Sequence, residues 1–150
     1  MSVLTPEPAM KLHTQRAIDT RLVAWPHDRL TSNDNEHWAQ RAPKIKKWRT
    51  LAYNAFRGVP PIPPGAQARV VVYFRQPPGR GEVKDIPNLN PIVKACIDGI
   101  THGPTGKGKG PWPDDTTEHV MAQDVREITP RGPLKIVFQV WVTVEPPTAL

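Results

Sequence analysis

The chain has 150 residues, 38% of them hydrophobic, with 19 prolines and a formal net charge of +6. That length favours one domain, and the basic balance, with a pI of about 9.8, favours a polyanionic partner. No apolar run is long enough to cross a membrane, and no charged-then-apolar leader opens the chain. A single cysteine, Cys96, excludes an internal disulfide and fits a reducing, cytoplasmic compartment.

Residues 1–16 and 145–150 carry prolines at their outer ends and lack periodicity, so they read as tails around a domain spanning 17–144. Ala17 to Trp25 alternates, with Ile18, Thr20, Leu22 and Ala24 on one side, and predicts a strand. A loop of turn formers follows to Asn35. Ile45, Trp48, Leu51, Ala52, Ala55 and Phe56 recur at helical spacing. Pro43 suits the first turn of that helix and Gly58 the residue past its end. The proline run Pro60 to Pro64 separates it from Ala68 to Phe74, a β-branched, apolar strand.

A second helix starts between Asn88 and Pro91, with Asn90 as its cap and Pro91 at its first position. Leu89, Ile92, Val93, Cys96, Ile97 and Ile100 form its buried stripe, which makes Cys96 a buried thiol rather than a nucleophile. Lys94 and Asp98, four apart, share the other face. His102 to Pro113 reads as a mobile loop, and strands follow at 119–128 and 133–144. The order is β-α-β-α-β-β, a single-domain α/β (α+β) fold with a mixed sheet and two main helices.

Carboxylates at Asp85, Asp98, Asp114 and Asp115 bracket the second helix, which carries Lys94. Clustered carboxylates in a basic chain suit a hard divalent cation, and their mutual repulsion is relieved by one. Each alone has a plainer reading: Asp98 paired with Lys94, and Asp114 and Asp115 opening a turn. Lys44, Lys46, Lys47 and Arg49 crowd the first helix with no acid between Arg41 and Arg57. A run of one sign repels itself unless it meets an anion, which points to phosphate contacts. Gly103 to Gly110 nearly matches a phosphate-binding P-loop, but Gly110 stands where Ser or Thr belongs, and the loop follows a helix instead of a strand. A nucleotide cofactor is therefore not expected. Lys107 and Lys109 on that loop are either phosphate contacts or solvated. The five histidines show no metal-ligand spacing, and with one cysteine there is no zinc pattern. The five tryptophans and two tyrosines show no clustered stacking platform of the kind single-strand binders use.

The run Asp85-Ile86-Pro87-Asn88-Leu89, then Lys94-Ala95-Cys96-Ile97-Asp98-Gly99-Ile100-Thr101, then Trp112-Pro113-Asp114-Asp115 resembles the RusA-type Holliday junction resolvases. Those carry Asp-x-Asp-Asn-Leu, Lys-Ala-x-x-Asp-Ala-Leu-Thr and a later Asp-Asp pair. Leu30-Thr31-Ser32-Asn33-Asp34 followed by Trp38 is similar to the family's Pro-x-Ser-x-Asn entry after the first strand. The form with Asn-Leu-x-Pro-x-Val-Lys-Ala and Asp-Gly is similar to versions carried by phages of actinobacteria. The likeness covers residues 17–144.

The resemblance implies a homodimeric endonuclease, dependent on Mg2+ or Mn2+, that resolves four-way DNA junctions, in the host cytoplasm if phage-encoded. Carried over by position, Asp85 and Asp115 are the motif aspartates that hold the metal, with Asp114 or Asp98 completing the site. Lys94 is the helix lysine, and Asn33 and Asn88 contact DNA. Two departures stand out. Pro87 replaces the second motif aspartate, and the spacing from Asn88 to Lys94 is longer than in the compact motif. A branch-binding protein that does not cut is the alternative.

Overall fold

In a computed structural model of the protein, residues 9–32, 36–63, 65–79, 83–112 and 120–144 are described. Six main elements follow in order: β1 (Met10–Ala17), α1 (Trp38–Phe56), β2 (Ala68–Arg75), α2 (Asn90–His102), β3 (Val120–Glu127) and β4 (Lys135–Thr143). The β-α-β-α-β-β order expected from sequence is the observed one. The sheet is mixed, in the order β1-β4-β2-β3, with β2 and β3 parallel and the other pairs antiparallel. Helix α2 is thus the crossover that a parallel β2–β3 pair requires.

The first strand is not where alternation placed it. It occupies Met10–Ala17, inside the stretch read as a tail, and pairs with β4 from Met10↔Thr143 to Ala17↔Val137. This strand lies at the sheet edge and is mostly exposed, with a bulge between Leu12 and Thr14, so it carries no burial periodicity. In the predicted strand, Ile18 does reach the core and donates its N–H to the Ile136 carbonyl. Then the Asp19 carboxylate accepts from the Arg21 N–H and pairs with the Arg21 guanidinium, capping a 3-10 turn at Thr20–Leu22. A side chain that bonds its own backbone offers an alternative to a ladder, and here it ends the strand.

The start of one helix and the cap of the other also differ. Helix α1 begins at Trp38, where the His37 ring accepts from the Ala39 N–H, so Pro43 lies inside the helix rather than in its first turn. Ahead of α2, Ile86–Leu89 forms a 3-10 turn, and Leu89 takes the capping position; Asn90 is already helical, at φ −55° and ψ −32°.

The core lies between one face of the sheet and the two helices. Ala68, Val70, Val72 and Phe74 of β2 and Ile136, Phe138, Val140 and Val142 of β4 point into it. They meet Trp48, Leu51, Ala52 and Phe56 of α1 and the whole expected stripe of α2, every member of which is buried. Fully burying one such aliphatic or aromatic side chain contributes about 1.5–3 kcal/mol. The two helices meet most closely at Gly99, where an added Cβ would lie 2.2 Å from the Arg49 carbonyl oxygen. The Cys96 thiol is beneath the same contact, 3.8 Å from the Trp48 carbonyl oxygen.

Candidate nucleic-acid interface

Helix α2 ends at Gly103, whose φ of +76° suits glycine, and the chain then folds back along the helix end. Gly106 donates its N–H to Gly103, Gly108 to His102, Gly110 to Thr101 and Trp112 to Ile100. The stretch read as a mobile loop is therefore tied to α2 by backbone bonds. Gly110 also acquires a reason: a Cβ there would be 2.1 Å from the Ile100 carbonyl oxygen. The loop closes on Trp112, which is buried, donates its indole N–H to the Val59 carbonyl at 2.9 Å and meets Phe56 edge-on.

Arg49 of α1 and Asp98 of α2 form an ion pair across the helix interface, Nε to Oδ2 at 2.9 Å. The guanidinium also reaches the Thr105 carbonyl, and Gly106 covers the pair so closely that a Cβ would stand 2.8 Å from the Arg49 guanidinium carbon. Asp98 is therefore paired with Arg49, not with Lys94. That pair takes up one of the two Asp98 carboxylate oxygens, Oδ2. Lys94, one turn earlier, is exposed and has no ion-pair partner among the described residues. Lys94, Arg49 and Asp98 line one cleft of about 420 Å³ with Arg41, Pro91 and Gln123. Gln123 is not marked by any sequence motif, because it reaches the cleft only through the pairing of β3 with β2.

The basic run on α1 proves to be largely paired within the protein. Lys44 binds Glu36, and Lys47 binds Asp28 at 2.8 Å. With Arg49 on Asp98, three of the four cations already have an anion, from the chain just before α1 (Glu36), the loop ahead of it (Asp28) and α2 (Asp98). The inference that the run needs an external anion is therefore corrected. The acids it lacks locally arrive through the tertiary fold. Asp28 is the most deeply set of these acids, only 4% exposed. Burial pushes its carboxyl up, but the Lys47 ammonium and the Ala24 N–H outweigh that and hold it below the ordinary carboxylate range. Its carbonyl accepts the indole N–H of buried Trp48, so the Lys47–Asp28 pair also anchors the core.

Lys46, Lys107 and Lys109 are exposed, without ion-pair partners among the described residues. Asp85 is exposed and precedes the 3-10 turn at Ile86; its carbonyl accepts the Asn88 N–H, while its carboxylate makes no capping bond. Asn88 is half-buried, and its carbonyl takes the Ser32 N–H, which joins the segment before Asn33 to the Asp85 turn. Pro87 is exposed on that turn. Asn33, Asp114 and Asp115 lie outside the described residues. Among the described residues, no three His, Cys, Asp or Glu side chains stand close enough together to hold a metal ion. Cys96 is fully buried, and burial pushes its thiol far above the ordinary range, which removes it from nucleophilic chemistry. No helix among the described residues is long and apolar enough to cross a membrane.

No family model matches the chain, and neither a curated protein nor a solved structure matches it.

Proposed function

We propose that the protein is a Mg2+-dependent, structure-specific endonuclease of branched DNA that acts as a homodimer. The observation that carries this reading is the state of Asp85 and Lys94. Both flank the start of α2, both are exposed, and among the described residues neither side chain is committed to an ion pair or a cap. The other charged groups of the helix pair are largely neutralised internally. Exposed charges left without partners in such a setting are the ones free for a ligand.

Asp85 offers free carboxylate oxygens of the kind Mg2+ prefers, and Asp115, with Asp114, would complete the site. Bound there, the metal would polarise the scissile phosphate and lower the pKa of an attacking water. Lys94 would neutralise charge on a phosphate oxygen as it builds in the transition state. Arg41 and Gln123, beside Lys94 in the cleft, would hold the neighbouring stretch of backbone.

The second reading, a branch-binding protein that does not cut, is favoured by Pro87. A proline stands where the motif has a carboxylate, on an exposed turn two residues from Asp85. Incubation of a labelled four-way junction with and without Mg2+ separates the two. The expected result is paired nicking that Asp85→Asn abolishes while binding persists. Pro87→Asp should move the activity to lower Mg2+ concentration, because an added carboxylate tightens a hard-cation site. Binding without cutting in either metal would establish the second reading.

A further inference from the structure

The sheet has a second face, turned away from both helices. Side chains alternate across a strand and paired residues share a face, so the register defines this surface. It carries Arg69, Val71, Tyr73 and Arg75 from β2, and Lys135, Val137, Gln139 and Trp141 from β4. Leu12 and Gln15 join from β1, and Asp124 and Arg126 from β3. None of these residues belongs to the core cluster. Val71 and Val137 are buried by their strand neighbours, whereas Tyr73 and Trp141 are half-exposed and Leu12 is 44% exposed. Met10, Arg69, Val71, Tyr73, Arg126, Gln139 and Trp141 line a shallow groove of about 390 Å³ on it.

Two aromatic rings on this face were not recognisable as a platform in the sequence, where they lie far apart. Tyr73 pairs with Val137, and Trp141 is four residues further along β4, about 14 Å at roughly 3.4 Å per residue. Around them stand four cations, Arg69, Arg75, Arg126 and Lys135, against one carboxylate among the described residues, Asp124. Asp124 is already paired with Arg126 at 3.2 Å.

That charge selects the occupant. A second copy of the chain meeting this face about a two-fold axis would set like charges against like, since such an interface is self-complementary. A polyanion faces no such repulsion. Half-exposed aromatic rings on a sheet surface offer stacking to unpaired bases, which a duplex keeps inside its own stack. We propose that this face, uncovered among the described residues, binds single-stranded DNA, with bases stacked on Tyr73 and Trp141 and phosphates held by Arg69 and Lys135. The choice of DNA over RNA rests on the nuclease reading above; the face itself does not.

The test is a polarisation titration of labelled oligothymidylate, with intrinsic tryptophan fluorescence followed in parallel. The parent should bind and its fluorescence should quench. Tyr73→Ala combined with Trp141→Ala should weaken binding by at least about tenfold, from the stacking lost. Tyr73→Phe keeps the ring and should bind as the parent does. Arg69→Glu should weaken binding and flatten its salt dependence by about one contact. Asp85→Asn should leave oligothymidylate binding unchanged, which separates this proposal from the nuclease reading. Unchanged circular dichroism of each variant shows that the fold is retained. Equal affinity of the double-alanine variant would overturn the proposal. So would tighter binding of an oligoribonucleotide through the same two rings, or a parental dimer in sedimentation that the double variant dissolves.

Discussion

Gly99→Ala tests the backbone contact between the two helices. Its Cβ would lie 2.2, 2.6 and 2.7 Å from the oxygen, Cα and carbonyl carbon of Arg49. All three are backbone atoms, so no side-chain rotation relieves the contact. The helices must part by roughly 1 Å, opening the packing of Trp48 against Cys96 and straining the Arg49–Asp98 pair. Overpacking costs about 1–3 kcal/mol, and a rigid backbone obstacle places this site near the upper end. Alanine recovers about 1 kcal/mol of helix propensity over glycine. The net expectation is a loss of about 2 kcal/mol, which for a chain of this size lowers Tm by about 4–8 °C. Thermal unfolding followed by circular dichroism measures it. Gly108→Ala is the control, because its nearest neighbour would stand 3.5 Å away and nothing need move. A Gly99→Ala protein that melts at or above the parental temperature would show that the helices are not packed backbone to backbone at this point.

Asp28→Asn tests the buried pair through pH. A carboxyl held below its unfolded pKa contributes stability that is present above that pKa, about 3.9, and is lost as pH falls through the folded value. The parent should therefore lose stability toward the asparagine variant only below about pH 4, while above it the parent is the more stable; parallel curves across that window in urea titrations would remove Lys47 as the cause of the shift. The lysines should divide by partner. Lys46→Ala and Lys94→Ala should each reduce the log-log salt slope of junction binding by about one unit, whereas Lys47→Ala should leave the slope nearly unchanged and cost about 1–3 kcal/mol of stability by stranding Asp28. A loss of slope from Lys47→Ala equal to that from Lys94→Ala would place the DNA surface on the paired cations instead.

Strong local signals carried most of the fold. The apolar stripe of α2, the β-branched run of β2 and the alternation of β4 each bury their side chains by a period set within one segment. Those segments are α2 and two of the four strands, and the buried Cys96 follows from its place on the stripe. What the sequence could not reveal depended on a partner. Strand β1 is held by the hydrogen bonds of β4 rather than by a buried face, so its residues do not alternate. Asp19 looked like one position in an alternating run until its carboxylate closed on Arg21.

The same division holds for the site. Asp85 and Lys94, on which the proposed function rests, lie within ten residues of one another in the sequence. The fate of the basic run was not legible there, because a charge count between Arg41 and Arg57 stops short of Glu36 and takes no account of Asp28 and Asp98 folding onto the helix. Tyr73 and Trp141 share a surface only because β2 and β4 pair in one particular register. Local periodicity is written into a segment, whereas ion pairs, sheet edges and shared faces arise between segments, and only the folded chain brings those together.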